Sequence, residues 1–307
     1  LSELQWDIPL EQTKGLFIPT ARLQGPKVHR TETNILEILK RDSKHPLIQG
    51  IEIEISYAQL WDEAKSLSST IQILPGEAVG IDVKSTYHFV LSIVAVWLAQ
   101  GVPCPVDRRY PDSRKEFIYT NAGIRKILVS EELTLHIQDR SNEPIVHARE
   151  ASFILHTSGS TGEPKGVIQT HECLINLIRW NSQAYPLDAK EVILQLSSFG
   201  FDASFHEVLL AMSLGASLIE VPFEARLDIQ QIREYILGFN ATLAWIPARL
   251  LNAILEVDPN FLADCDSIKH IVTTGEALVI GKELKHYIAT KEITLLNFYG
   301  PTETHVI

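Results

Sequence analysis

What most constrains this chain is an alternation. Six apolar runs of six residues each recur in its second half: SFILHT (152–157), VILQLS (192–197), ASLIEV (216–221), ATLAWI (241–246), KHIVTT (269–274) and ITLLNF (293–298). Between them lie stretches with helical spacing of apolar residues, near 171–183, 204–214, 228–238, 247–255 and 279–290. The first half follows the same rule. NILEILKRD (34–42) and YAQLWDEAKSLSSTI (57–71) read as amphipathic helices, and EAVGIDV (77–83) as a buried strand. FVLSIVAVWLAQG (89–101) reads as an apolar helix stopped by Gly101. PCPVD (103–107), a helix near 111–122 and the strand KILVS (126–130) complete the half. Strands alternating with helices form parallel βαβ units with right-handed crossovers. The expected fold class is therefore α/β, with two packed, doubly wound, mostly parallel sheets.

The polar stretch 131–150 reads as irregular and divides a first α/β subdomain (31–150) from a second (151–307), with residues 1–30 as a linker. In such sheets ligands bind beyond the carboxyl ends of the strands. At 307 residues and 45% hydrophobic, the chain can bury a substantial core. Its formal net charge of −11, with no Lys/Arg-dense stripe, speaks against a nucleic-acid partner. The three scattered cysteines form neither a disulfide framework nor a zinc site, and fit a reducing cytoplasm. No secretory signal and no run approaching the ~20 apolar residues of a membrane helix is present. The chain opens on Leu1 and reads as a piece of something longer.

One loop stands out. TSGSTGEPKG (157–166) follows the carboxyl end of SFILHT, where a ligand is expected. Its glycines free backbone N–H groups to turn inward, and Thr157, Ser158, Ser160 and Thr161 add hydroxyls, an array suited to phosphate oxygens. It is not a Walker A loop, because Pro164 stands where that pattern needs its second glycine. A plain surface hairpin is the alternative.

The loop resembles the phosphate loop of the adenylate-forming superfamily: acyl-CoA synthetases, luciferases, and the adenylation domains of nonribosomal peptide synthetases. Five further motifs resemble that superfamily in the same order: ISYAQL (55–60), WLAQGVPCPVDRRYPDSR (97–114), FDASFHEV (201–208), TTGEAL (273–278) and NFYGPTE (297–303). The departures are Ala99-Gln100, Cys104 and Arg108-Arg109.

The resemblance implies activation of a carboxylate by ATP with Mg²⁺, through an acyl-adenylate and without a protein nucleophile. Under it, Thr157, Ser158, Gly159, Ser160, Thr161, Gly162 and Lys165 line the β- and γ-phosphates. Thr302 meets the α-phosphate and Glu303 ligates Mg²⁺. Tyr299 stacks on adenine with Asn297 near its amino edge, and Gly275 and Glu276 approach the nucleotide. Taken alone, Tyr299 reads rather as a core aromatic; Gly300-Pro301 and Glu303 beside it turn the reading toward the nucleotide.

Asp202 matches the carboxylate that holds the α-ammonium of an amino acid in peptide-synthetase adenylation domains. A helix N-cap role for Asp202 or Ser204 is the alternative. Ala203, His206, Ala244, Val272, Thr274, Phe298, Val306 and Ile307 match the side-chain pocket. Their mostly apolar character implies a small or medium neutral amino acid, with Phe298 shortening the pocket. His206 reads alternatively as a satisfied core histidine, and Glu207 as structural. The implied partner is a phosphopantetheine-bearing carrier domain. The resemblance also implies that the ribose-gripping Asp and the small C-terminal domain with its Lys lie outside this chain, which alone would be slow or inactive. Two rival readings are an acyl- or aryl-CoA synthetase and a non-catalytic nucleotide-binding fragment.

Overall fold

The computed structural model describes residues 34–41, 43–131, 134–158, 164–275, 278–291 and 293–303. In chain order its elements are α1 (Ile35–Leu39), β1 (Pro46–Gln49), β2 (Glu54–Ser56), α2 (Tyr57–Ile71), β3 (Ala78–Asp82), α3 (Thr86–Leu98), β4 (Val102–Pro105), α4 (Asp112–Asn121), β5 (Lys126–Glu131) and β6 (Thr134–Asp139). There follow β7 (Ala151–Ser158), β8 (Pro164–Thr170), α5 (His171–Ala184), β9 (Val192–Leu194), α6 (Asp202–Leu214) and β10 (Ser217–Ile219). A 3-10 turn (Phe223–Leu227) leads to α7 (Ile229–Phe239), β11 (Leu243–Trp245), α8 (Ala248–Val257), α9 (Phe261–Asp264), β12 (His270–Thr273), α10 (Lys282–Thr290) and β13 (Thr294–Asn297).

The strands form a seven-stranded sheet in the order β13-β12-β11-β9-β10-β1-β2, a four-stranded sheet β4-β3-β5-β6, and the β7–β8 hairpin. Both larger sheets are parallel except at one edge, where β2 and β6 run antiparallel to their neighbours. Membership of the large sheet crosses the expected boundary near residue 150, since β1 pairs in parallel with β10.

Four strands depart from the sequence expectation. The β1–β2 pair is absent from it. β6 lies inside the stretch read as irregular, because an edge strand exposes one face and half of its residues are polar by necessity. β8, which follows the glycine-rich loop, is likewise absent from the expectation and is largely exposed.

The motifs explain part of the fold. Ser56 caps α2, its hydroxyl accepting the Gln59 N–H while the Gln59 carboxamide accepts the Ser56 N–H. Tyr57 is fully buried and its hydroxyl is shared between the Ala211 and Ala216 carbonyls, at 2.9 and 2.8 Å. That bond ties α2 to the end of α6, where Gly215 turns at φ +78° into β10.

A four-ring cluster joins the layers. Phe89 of α3 stacks on Phe199 at 4.2 Å, and Phe153 of β7 stacks on Phe205 of α6 at the same distance. Phe89 meets Phe205 edge to face at 5.7 Å. Truncating one such buried ring costs about 3–5 kcal/mol. The cluster packs the segment between β9 and α6 against α3 and the hairpin.

Candidate functional site

Three strands of the large sheet, β9, β12 and β13, end at the same edge, and α6 starts there. Asp202 is the first residue of α6 and is 6% exposed. It does not cap the helix: the N-cap is Phe201, which makes no side-chain cap bond. Asp202 Oδ1 accepts the Ala203 N–H at 2.9 Å, while Oδ2 is buried without a hydrogen-bond partner. Burial pushes the carboxyl up to about 6, against the pull of the Ala203 N–H and Thr302, and Glu303 nearby adds to the rise. A buried carboxylate oxygen left open is costly unless a cation or donor meets it.

Thr302 and Glu303 thus stand close to Asp202. Thr302 is tied to the hairpin as well, since Gln169 of β8, 4% exposed, donates from Nε2 to its carbonyl at 2.5 Å. Sequence reasoning missed Gln169. A buried carboxamide in an otherwise exposed strand is visible only once the strand is placed.

In the hairpin, Thr157 sits directly opposite Lys165, and Ser158 opposite Pro164. Gly159, Ser160, Thr161 and Gly162 lie outside the described residues, as do Glu276, Val306 and Ile307. Lys165 is exposed and Thr157 half-buried. Beneath them His156 is buried, its ring bonded to Asn121 at 3.0 Å. Burial, reinforced by Arg114, pushes the imidazole down to about 4, so it is neutral at neutral pH. Gly166 crosses this ring so closely that a Cβ would stand 3.2 Å from His156 Nε2.

The residues expected at the nucleotide are open. Tyr299 is 84% exposed, which removes the core-aromatic alternative. Asn297 and Glu303 are exposed, and Gly275 turns at φ +94° with nothing within 4 Å of where a Cβ would stand.

The side-chain residues divide. Val272, Phe298 and Ala203 are buried, and Thr274 is 8% exposed. His206 is fully buried, stacked on Phe298 at 5.2 Å and edge-on to Trp245 at 4.6 Å, with Asn181 2.6 Å from its Nε2. That is the core-histidine environment. The structure does not bring Ala244 into this group. Ala244 packs with Leu194, Ile271 and Leu295 on the opposite face, and Trp245 takes the side shared by Val272 and Phe298. Alternation along β11 forces one or the other.

The model of the family described as AMP-binding enzyme matches residues 37–307. The chain belongs to the AMP-binding enzyme family. Among curated proteins it is 27% identical over 333 aligned residues to surfactin synthase subunit 2 of Bacillus subtilis, covering all of this chain and 9% of that protein. It is 26% identical over 309 aligned residues to bacitracin synthase 1 of Bacillus licheniformis, covering 94% of this chain and 6% of the other. The chain thus spans a small part of the curated relatives it matches. Among solved structures, the Klebsiella oxytoca NpsA N-terminal subdomain in complex with 3-hydroxyanthranilyl-AMSN aligns with a TM-score of 0.73 at 21% identity, over 89% of this chain and 72% of that one. The fold is therefore that of the AMP-binding N-terminal subdomain. Among the described residues no helix is long and apolar enough to cross a membrane.

Proposed function

We propose that this AMP-binding chain carries the nucleotide- and amino-acid-binding elements of a nonribosomal peptide synthetase adenylation domain. ATP activates an amino acid as aminoacyl-AMP, which is then passed to the phosphopantetheine thiol of a carrier domain. The observation that carries this reading is the buried Asp202 with one open oxygen, set beside Thr302 and Glu303. An α-ammonium placed there satisfies the orphaned oxygen and favours the ionised carboxylate. The substrate carboxylate is then directed toward the Thr302–Glu303 side, where the nucleotide is activated.

The chain's part in the chemistry is positioning and charge neutralisation, since the reacting carboxylate and phosphates are all anionic. Thr157 and Lys165 at the hairpin mouth support the β- and γ-phosphates. Tyr299 offers an exposed ring face for adenine, with Asn297 and Gly275 beside it. Among the described residues no three His, Cys, Asp or Glu side chains gather as a metal site. The single carboxylate of Glu303 still fits Mg²⁺, an ion that takes few protein ligands and keeps phosphate oxygens and waters. Mg²⁺ there would neutralise phosphate charge. The buried aromatic group around Phe298 limits the pocket to a small or medium neutral side chain, and the localisation that fits is cytoplasmic.

The test is amino-acid-dependent ATP–pyrophosphate exchange on the full-length protein, with the standard amino acids in pools. Exchange with one pool supports the reading. Exchange only with fatty or aryl acids would instead make the protein an acyl- or aryl-acid-activating enzyme, and silence of a folded, ATP-binding protein with every acid would favour a binding fragment.

A further inference from the structure

The segment that delivers Asp202 to the site is held from below by buried charges that the proposed chemistry does not use. Glu207, fully buried on α6, accepts the Gln195 carboxamide at 2.8 Å and the backbone N–H groups of Leu196 and Ser197 at 3.4 and 3.3 Å. Arg226, 5% exposed in the turn after β10, donates to the Ser197 carbonyl at 3.0 Å, the Val221 carbonyl at 3.1 Å and the Thr86 hydroxyl at 3.4 Å. Its guanidinium lies over the Phe199 ring at 4.7 Å, and Phe89 stacks on the same ring. Asp107, held by Arg109, accepts the Ser198 hydroxyl.

Three consecutive residues, 197 to 199, are thus gripped at backbone N–H, backbone carbonyl, hydroxyl and ring. Asp202 follows three residues later. Packing alone does not fix this segment. A cavity of about 160 Å³ borders Ser198, Phe199 and Arg226, leaving room for the segment to shift if the grip weakens. Burying an arginine and a glutamate here is expensive unless their geometry is used.

We propose that Glu207 and Arg226 form a buried clamp on residues 197–199 that sets where the Asp202 carboxylate stands, making Arg226 a positioning residue for recognition of the substrate's α-ammonium. This rests on the reading that Asp202 holds that group. The clamp acts on the ammonium end of the amino acid and not on the nucleotide. Lysine cannot replace Arg226, because one ammonium cannot reach three acceptors and lie flat on a ring.

The experiment compares Arg226→Lys, Phe199→Leu and Ser198→Ala with the parent, in the full-length protein, by ATP–pyrophosphate exchange. The probes are the amino acid that the parent uses best, and its des-amino carboxylic acid as a competitive inhibitor. A 1 Å misplacement of a recognition group costs up to about 100-fold, so Arg226→Lys should raise the amino-acid KM roughly tenfold or more. Phe199→Leu should follow with a smaller rise, while the ATP KM and the Ki of the des-amino acid stay within about twofold of the parent. If Arg226→Lys does not fold, Phe199→Leu and Ser198→Ala read the same prediction. An unchanged amino-acid KM in the folded variants would overturn the clamp if Asp202→Asn raises that KM. A rise of the ATP KM or des-amino Ki in parallel would overturn it too, by showing a general structural effect. If Asp202→Asn itself leaves the amino-acid KM unchanged, the ammonium reading fails and the clamp falls with it.

Discussion

The β7–β8 hairpin and the corner between β9 and α6 face the same proposed reaction, yet they are built in opposite ways. The hairpin is a two-stranded ribbon whose second strand is largely exposed, and its chemistry-bearing residues, Thr157 and Lys165, stand at the solvent end. The corner is mostly buried, with Phe201 exposed at its turn, and the group it leaves unpaired is a carboxylate with an open oxygen. The difference follows from the ligand each would hold. A triphosphate brings its own charge and many oxygens, so exposed hydroxyls and one lysine suffice. A single ammonium must be told apart from no ammonium, and a desolvated carboxylate does that because leaving it unpaired is costly.

The largest effect should come from breaking the corner. Asp202→Ala removes one partner of a buried charge pair, which costs about 2–5 kcal/mol, roughly 30-fold to several-thousand-fold in kcat/KM for the amino acid. Stability should move the other way. A carboxyl raised to about 6 in the folded state holds its proton more tightly there than in the unfolded chain. Its contribution to stability is full below its ordinary range and lost as pH rises through about 6. At pH 7 the ionised group therefore works against folding, and Asp202→Asn should keep or raise the melting temperature while activity falls. A melting temperature well below that of the parent would mean that the carboxylate is structural.

Breaking the hairpin should cost less and in another coordinate. Lys165→Ala should lower kcat/KM for ATP by roughly tenfold to 150-fold, the worth of a charged hydrogen bond at about 1.5–3 kcal/mol, and leave the amino-acid KM near that of the parent. Equal losses in both substrates would erase the division between the two regions. Phe298→Ala sharpens the corner instead: by removing the ring stacked on His206, it should let larger side chains compete, with gains of about 10- to 200-fold in relative kcat/KM for the added methylenes. The smallest effect belongs to the bond between the regions. Gln169→Ala removes the donor to the Thr302 carbonyl and should cost about 0.5–1.5 kcal/mol, a rise of roughly two- to tenfold in the ATP KM.

How much of this was legible differs between the regions for the same physical reason. Central strands such as β9, β11 and β12 are buried on both faces and announce themselves as continuous apolar runs. Edge strands β2, β6 and β8 carry polar faces and read as loops or were missed. Asp202 and Tyr57 both fall inside motifs that the sequence displays, FDASFHEV and ISYAQL. Which face of β11 meets the pocket was not legible, because Ala244 and Trp245 are both buried and only pairing with β12 decides between them. The clamp was hidden for a similar reason. Glu207 looked structural, and Arg226 lies far from its partners Ser197 and Thr86 in sequence, in a motif-free turn.

The most direct measurement of the central claim is the pH dependence of the amino-acid KM in ATP–pyrophosphate exchange, for the parent and for Asp202→Asn. Holding an ammonium needs the ionised carboxylate, which burial keeps protonated up to about pH 6 in the absence of substrate. The parent's KM should be flat above about pH 7 and rise roughly tenfold per unit as pH falls below about 6, while the variant's KM stays high and flat over the same range. A parent KM that does not change between about pH 7 and about pH 5, or a variant that follows the parent's curve, would contradict the assignment of Asp202 to the ammonium.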